Sequence, residues 1–177
     1  MNSTRIAILG IAMSALIAGL AMYYLQVYAF YDDVSAEDAG GVELTLVGTD
    51  ARDPIVFDNF QAIDSDSSPL RFRACFTTGH SLAMLTETYE IYDTAEPLVA
   101  PAWFSCFDAR AIGEALESGE AVAFLSRENE PYGFDRVVAV FPDGRGYVWP
   151  QLNHCGEVVF DGDPAPEGCP PVPEGLR

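Results

Sequence analysis

The sequence has 177 residues, a formal net charge of −18 and no lysine, so its nine cations are all arginines. A chain of this length allows one ordinary domain and a short additional segment, and it excludes a second large core. The acidic surplus argues against nucleic acid or anionic lipid headgroups as ligands, because phosphate binding requires lysine or arginine side chains.

Residues 6–31, "IAILGIAMSALIAGLAMYYLQVYAFY", predict a membrane-spanning helix, because these 26 residues carry no charge and about 20 apolar residues span a bilayer. Arg5 precedes the stretch and Asp32 follows it. We therefore expect residues 1–5 to be a cytoplasmic tail and the rest of the chain to be exported. The alternative is a cleaved signal peptide, whose apolar region is shorter, at about 7 to 15 residues.

One side of this helix carries small residues at spacings of three and four, which would let a partner helix approach closely. A chance pattern in an alanine-rich anchor is the alternative interpretation. The residues of this predicted packing face are Ala7, Gly10, Ser14, Ala18 and Ala21.

Residues 32–53 are predicted to be an acidic linker that ends in an edge strand, "VELTLVG". Two strands follow, "IVFDNFQAID" and "LRFRACFT". In the second, apolar residues alternate with Arg71, Arg73, Cys75 and Thr77, which predicts a strand buried on one face.

Two helices and a hairpin follow. "SLAMLTETYEIY" has Ser81 as its N-cap, and "DARAIGEALESG" has Asp108 as N-cap and Gly119 as its end. "FDRVVAVF" and "GYVWPQLN" flank "PDGRG", which predicts a β-hairpin.

A last strand, "GEVVF", precedes a proline-rich tail at residues 164–177. The predicted fold class is α+β over residues 54–163, with four or five antiparallel strands and two helices on one face.

The four cysteines, Cys75, Cys106, Cys155 and Cys169, all follow the apolar helix and would lie in a compartment where disulfides persist. Four cysteines allow three pairings. We favour Cys75 with Cys106 and Cys155 with Cys169, because the first links a strand to a helix start and the second fixes the tail.

A metal site is the alternative interpretation of the adjacent His154 and Cys155, with His80 and Met84 as further candidates. No metal-ligand spacing accompanies them. "DSDSS" at residues 64–68 lacks the glycine and the final acid of a calcium loop. The sequence therefore predicts no metal and no cofactor.

Catalytic motifs are also missing. The sequence contains neither G-x-S-x-G nor a glycine-rich phosphate loop. A thiol-dependent enzyme would need a free cysteine, which export disfavours. We therefore predict that the protein is not an enzyme.

The segments "MYYLQVYAFY", "SPLRFRACF", "SLAMLTETY", "DRVVAVFPDGRGYVW" and "NHCGEVVFDG" resemble an uncharacterised family of N-terminally anchored envelope proteins from Gram-negative bacteria. The resemblance implies an anchored topology, and it implies no activity and no functional residues.

These observations predict a non-catalytic, single-pass protein of the inner membrane with an acidic periplasmic domain. Its expected role is an accessory or assembly subunit that meets a membrane-embedded partner through the helix. Respiratory or photosynthetic electron-transfer complexes are one host, since an acidic domain attracts basic soluble proteins. The alternative is a periplasmic module that binds or senses a small ligand or metal.

Overall fold

The computed structural model describes residues 3–176 and divides the chain into two compact units, Met1–Asp32 and Asp33–Arg177. The first unit consists of helix α1, Ser3–Tyr24, and a π-helical turn at Leu25–Ala29. Its segment Thr4–Ala29 is long and apolar enough to cross a membrane, and its most apolar part is not buried. The predicted apolar helix is therefore present, as a candidate membrane anchor.

The second unit is built on a six-stranded sheet in the order β1-β4-β5-β8-β7-β6, and β2 and β3 form a separate two-stranded ribbon. The pairings of neighbouring strands from β4 to β6 are all antiparallel. The strands are β1 Asp32–Asp33, β2 Glu43–Thr45, β3 Arg52–Pro54, β4 Asp58–Asp64, β5 Arg73–Thr77, β6 Val122–Arg127, β7 Phe134–Val140 and β8 Arg145–Leu152. The helices are α2 Leu82–Thr88, α3 Ala109–Ser118 and α4 His154–Phe160, with a 3-10 turn at Glu174–Leu176.

One face of the sheet, which we call the ribbon face, packs against the β2–β3 ribbon and α2. Leu44 of β2 and Leu85 of α2 are completely buried in one cluster with Phe76, Val138 and Val148 of the sheet. Burying a leucine or phenylalanine contributes about 1.5 to 3 kcal/mol, so this cluster is a major source of stability.

The opposite face, which we call the disulfide face, carries Cys75, Tyr147 and Trp149. Phe107 packs edge-on against Tyr147 and Trp149, with ring centroids 5.8 and 6.2 Å apart. Helix α3 follows Phe107 directly and lies on this side of the sheet, where its Ile112 shares a cavity wall with Tyr147.

The α+β class and the antiparallel sheet are therefore confirmed, whereas the expectation of both helices on one face is wrong. Helix α2 covers the ribbon face and α3 the disulfide face. The cause is that the four residues Val137–Val140 of β7, which lies between β8 and β6, are all fully buried. Apolar side chains point to both faces of such a strand, so both faces must be covered.

Strand β5 shows the same departure from prediction. Its alternation predicted one buried face, but Arg73 and Cys75 are only 4% and 7% exposed. The segment 97–107 covers that side, because Arg73 donates hydrogen bonds to its carbonyls and Cys75 is bonded to Cys106.

The helix caps and the hairpin agree with prediction, whereas α2 ends at Thr88, before the last four residues of the predicted segment "SLAMLTETYEIY". The Ser81 side chain accepts from the Met84 N–H, and Asp108 accepts from the N–H groups of Arg110 and Ala111. In the hairpin turn Gly144 has φ = 86°, a conformation that a residue with a Cβ rarely adopts.

Two other segments correct the sequence predictions. The expected linker at residues 32–53 belongs to the folded second unit from Asp33 onward, because its apolar Ala39, Val42 and Leu44 are buried in the core. The expected strand "GEVVF" is part of helix α4, because the Asn153 side chain caps it by accepting from the Gly156 N–H. Strand β6 had no counterpart in the prediction.

Candidate functional site

Two disulfide bonds are present, and they join the pairs favoured from the sequence. Cys75 in β5 is bonded to Cys106, and Cys155 in α4 is bonded to Cys169 in the C-terminal tail. The described residues contain no free cysteine. The sulfur atoms are therefore engaged in covalent links between elements.

The residues of the alternative metal site are not arranged as a ligand set. His154 is exposed at the first position of α4, and the sulfur of its neighbour Cys155 is bonded to Cys169. His80 lies just before α2, where its backbone N–H donates to the Thr78 hydroxyl, and Met84 lies within α2. Across residues 3–176, no group of three or more His, Cys, Asp or Glu residues could hold a metal ion.

The most extensive buried polar network centres on Asp135 of β7, which is 6% exposed. Its carboxylate accepts hydrogen bonds from the Tyr92 hydroxyl at 2.9 Å, the Asn129 N–H at 2.8 Å and the Asn153 side chain at 2.7 Å. Burial, followed by the Asp135 charge, raises the pKa of Tyr92, so this phenol stays protonated. The network fixes the segment after α2, the β6–β7 turn and the start of α4 relative to one another.

Most described arginines of the second unit make internal contacts. Arg127 donates to Glu43 at 2.6 Å, and Arg52 donates to Glu130 at 2.9 Å. Arg136 lies over the Phe72 ring at 4.4 Å and donates to the Ala39 carbonyl, and its burial lowers its pKa. Arg110 also pairs with Glu114, and Arg145 pairs with Asp143.

The acidic residues show the opposite distribution. Of the 27 carboxylates, all but Glu43, Asp53, Asp64 and Asp135 are exposed. Partial desolvation, with the charges of Asp135 and Asp50, raises the pKa of Glu128. The surface of the second unit is therefore strongly negative, while several of its positive charges are held inside or against carboxylates.

The predicted packing face of the first unit lies on a helix that is exposed along its described length. Ala7, Gly10, Ser14, Ala18 and Ala21 are all exposed in α1. A Cβ added at Gly10 or Gly19 would meet no atom within 4 Å. The Ser14 hydroxyl is satisfied within the helix by the Ile11 carbonyl at 2.9 Å, so it does not require a polar partner.

A groove on the second unit was not anticipated from the sequence. It runs between α3 and the segment 91–97 beside the start of β6, and its volume is about 600 Å³. Gly113 lies in its wall, half-buried in the middle of α3. A glycine inside a capped helix was the one sequence signal for this site, because glycine weakens a helix interior.

The chain thus combines a candidate membrane-spanning helix with a disulfide-linked α+β unit. Residues 42–170 match a family of unknown function (DUF6446), and the chain belongs to this family. The matched region contains all four cysteines and most of the second unit, and it begins after the apolar helix. No curated protein and no solved structure shows a match to the chain.

Proposed function

We propose that the protein is a non-catalytic, single-pass inner-membrane subunit whose acidic domain faces the periplasm and which assists or assembles a larger membrane complex. The observation that carries this proposal is the exposure of α1 along its described length, in a chain whose other unit is separately compact. A helix of this kind has its whole circumference available to lipid and to other helices.

The two disulfides support an exported location for the second unit, because such bonds persist in oxidising compartments. Arg5, which precedes the uncharged stretch 6–31, supports a cytoplasmic N-terminus. Tyr23, Tyr24 and Tyr28 cluster at the other end of the helix, where aromatic rings favour the membrane interface.

The acidic surface supports a role beside basic proteins. Opposite charges accelerate encounter between proteins, and the effect falls as salt screens the charges. A complex that exchanges electrons with basic soluble carriers, respiratory or photosynthetic, is one host that fits this surface.

The topology gives the first prediction. Alkaline phosphatase fused after the C-terminus should be active in a Gram-negative host, because that enzyme requires disulfides formed outside the cytoplasm. The purified fusion-free chain should keep its full mass of 19.2 kDa. An inactive fusion would contradict the orientation, and a mass that lacks the apolar segment would show a cleaved signal peptide.

Participation in a complex gives the second prediction. After extraction in mild detergent, the protein should migrate on native electrophoresis with a partner, well above its monomer mass. Ala18→Leu adds bulk to the small-residue face and should weaken this association, because small residues permit close helix contact. Ala12→Leu makes the same change on the other side of α1 and should leave the association intact.

Several detergents are needed to interpret this experiment. Migration at the monomer mass in all of them would contradict the subunit proposal. Equal migration of the Ala18→Leu and Ala12→Leu proteins would retain the complex but exclude the small-residue face as the contact.

A further inference from the structure

The groove beside α3 has an apolar base formed by one stripe of the helix and the edge of the sheet. Ala109, Gly113 and Leu116 follow one another at helical spacings of four and three, and Ala121 and Ala123 line the groove from the start of β6. Small side chains at most of these positions leave a slot of about 600 Å³.

The wall opposite α3 is held in place by hydrogen bonds. The Gln151 side chain donates to the Thr94 carbonyl at 2.7 Å and accepts from the Glu96 N–H at 2.7 Å. The Tyr92 N–H donates to the Ala123 carbonyl at 2.9 Å, and the Tyr92 hydroxyl is bonded to Asp135. The groove is therefore preformed, which reduces the ordering cost of binding.

Gly113 keeps the slot open at a cost to the helix. Its backbone does not adopt a positive φ, and a Cβ built on it would be 4.0 Å from its nearest neighbour, Pro97 Cδ. Alanine would therefore fit, and it would favour the helix by about 1 kcal/mol. The packing of the described residues does not require this glycine, whereas close approach of another backbone would use it.

The rim of the groove is acidic. Asp93, Glu96, Glu114 and Glu117 are exposed around the slot, and the one arginine among the lining residues, Arg110, donates to Glu114 at 2.8 Å. A ligand in the slot would thus have apolar contacts along its length and carboxylates beside it.

We propose that this groove binds a basic peptide segment of a partner protein. Small apolar side chains of the segment pack over Gly113, and its arginine or lysine side chains pair with the carboxylates of the rim. The proposal goes beyond the role of a membrane subunit, because the groove lies on the second unit. Peptide binding to the groove is measured on the purified protein, so the result does not depend on whether α1 joins a complex.

The test uses the full chain in nanodiscs of zwitterionic lipid, with empty discs as background. The probe is a short fluorescent peptide in which arginine alternates with alanine and valine, and binding is followed by anisotropy. Gly113→Leu should fill the slot and weaken binding by about tenfold or more, the equivalent of one lost buried leucine-sized contact. Circular dichroism should show that this variant keeps its fold.

Charge is tested separately. Asp93→Asn with Glu117→Gln should weaken binding by about fivefold and flatten its salt dependence, because two rim charges are removed. Asp161→Asn with Asp163→Asn makes the same change in net charge at exposed positions outside the groove and should have little effect.

Three results would overturn the proposal. Equal binding by the folded Gly113→Leu protein would exclude the slot, and equal binding of a peptide with glutamate in place of arginine would exclude basic selectivity. Self-association of the protein that Gly113→Leu abolishes, without binding of the basic peptide, would assign the groove to a second copy of the chain.

Discussion

Replacing Arg73 with methionine is expected to lower the free energy of unfolding by about 3 kcal/mol, because four carbonyls, of which that of Phe72 is buried, would lose a charged donor. The guanidinium of Arg73 donates to the carbonyls of Leu70 and Phe72 at 2.8 and 2.6 Å, and to those of Leu98 and Val99 at 2.8 and 3.2 Å. Arg73 thus joins the start of β5 to the segment that covers the disulfide face.

The expected loss is smaller than the sum of four charged hydrogen bonds for a structural reason. Val99 is 81% exposed, so the carbonyls near it can regain hydrogen bonds to water after the substitution. The carbonyl of Phe72, in a residue that is 4% exposed, has less access to water. The hydrogen bonds that Arg73 donates to the Phe72 and Leu70 carbonyls therefore account for most of the expected loss of stability.

Denaturant unfolding followed by tryptophan fluorescence measures this effect, because Trp149 is completely buried in the folded unit. Arg110→Met is the matched control: the side chain of Arg110 is 88% exposed and pairs with Glu114 on the same helix. It should change stability by no more than about 0.5 kcal/mol. Similar values for the two variants would show that the Arg73 hydrogen bonds do not hold the covering segment.

The features that were predicted well from the sequence depend on local chemistry. Helix α3 begins at an aspartate that caps it and ends at Gly119, whose φ of 74° is the left-handed conformation typical of a helix end. The hairpin of β7 and β8 is likewise determined by its strand-forming residues and the glycine of its turn. Each of these signals acts between residues that are close in the chain, so it can be recognised in the sequence without knowledge of the fold.

The features that were missed depend on contacts between distant residues. The two valines of "GEVVF" favour a strand, but the Asn153 cap and the packing of Phe160 on Phe134 place them in helix α4. Arg73 occupies a position that alternation assigns to solvent, and only the segment 97–107 makes it a buried residue. Periodicity describes one strand and carries no information about what covers it.

The candidate functional residues also fall into those that could be predicted from the sequence and those that depend on contacts between distant residues. The disulfide pairs were favoured because the first would link a strand to a helix start and the second would fix the tail, and the small-residue face was visible as a repeat in one helix. The groove requires α3, the segment 91–97 and Gln151 of β8 to be brought together. Its residues are alanines, a glycine and exposed acids, which are individually unremarkable in a sequence.

Replacing both Cys75 and Cys106 with alanine is expected to be the most destabilising change to the second unit, at about 4 kcal/mol in the chain-entropy description of a disulfide. This bond closes a loop with a sequence separation of 31, whereas Cys155 and Cys169 are separated by 14. The corresponding cost of replacing Cys155 and Cys169 is about 3 kcal/mol, so that pair serves as the control.

The bond between Cys75 and Cys106 also has an effect that depends on its position and not on the length of the loop it closes. Cys106 precedes Phe107, the ring that covers Trp149, and the same segment binds Arg73. Without the bond, we expect a red shift of tryptophan emission in the folded protein and faster proteolysis between residues 97 and 107. Neither change should appear in the Cys155 and Cys169 control.

Combining the Cys75 and Cys106 replacements with Arg73→Met tests whether the disulfide and the guanidinium hold one segment. If they do, each interaction depends on the segment that the other one positions, and the combined loss should be smaller than the sum of the separate losses by about 1 kcal/mol or more. Losses that add within about 0.5 kcal/mol would instead show two independent attachments. In that case Arg73 stabilises β5 through the Leu70 and Phe72 carbonyls, and the disulfide alone keeps the segment over Trp149.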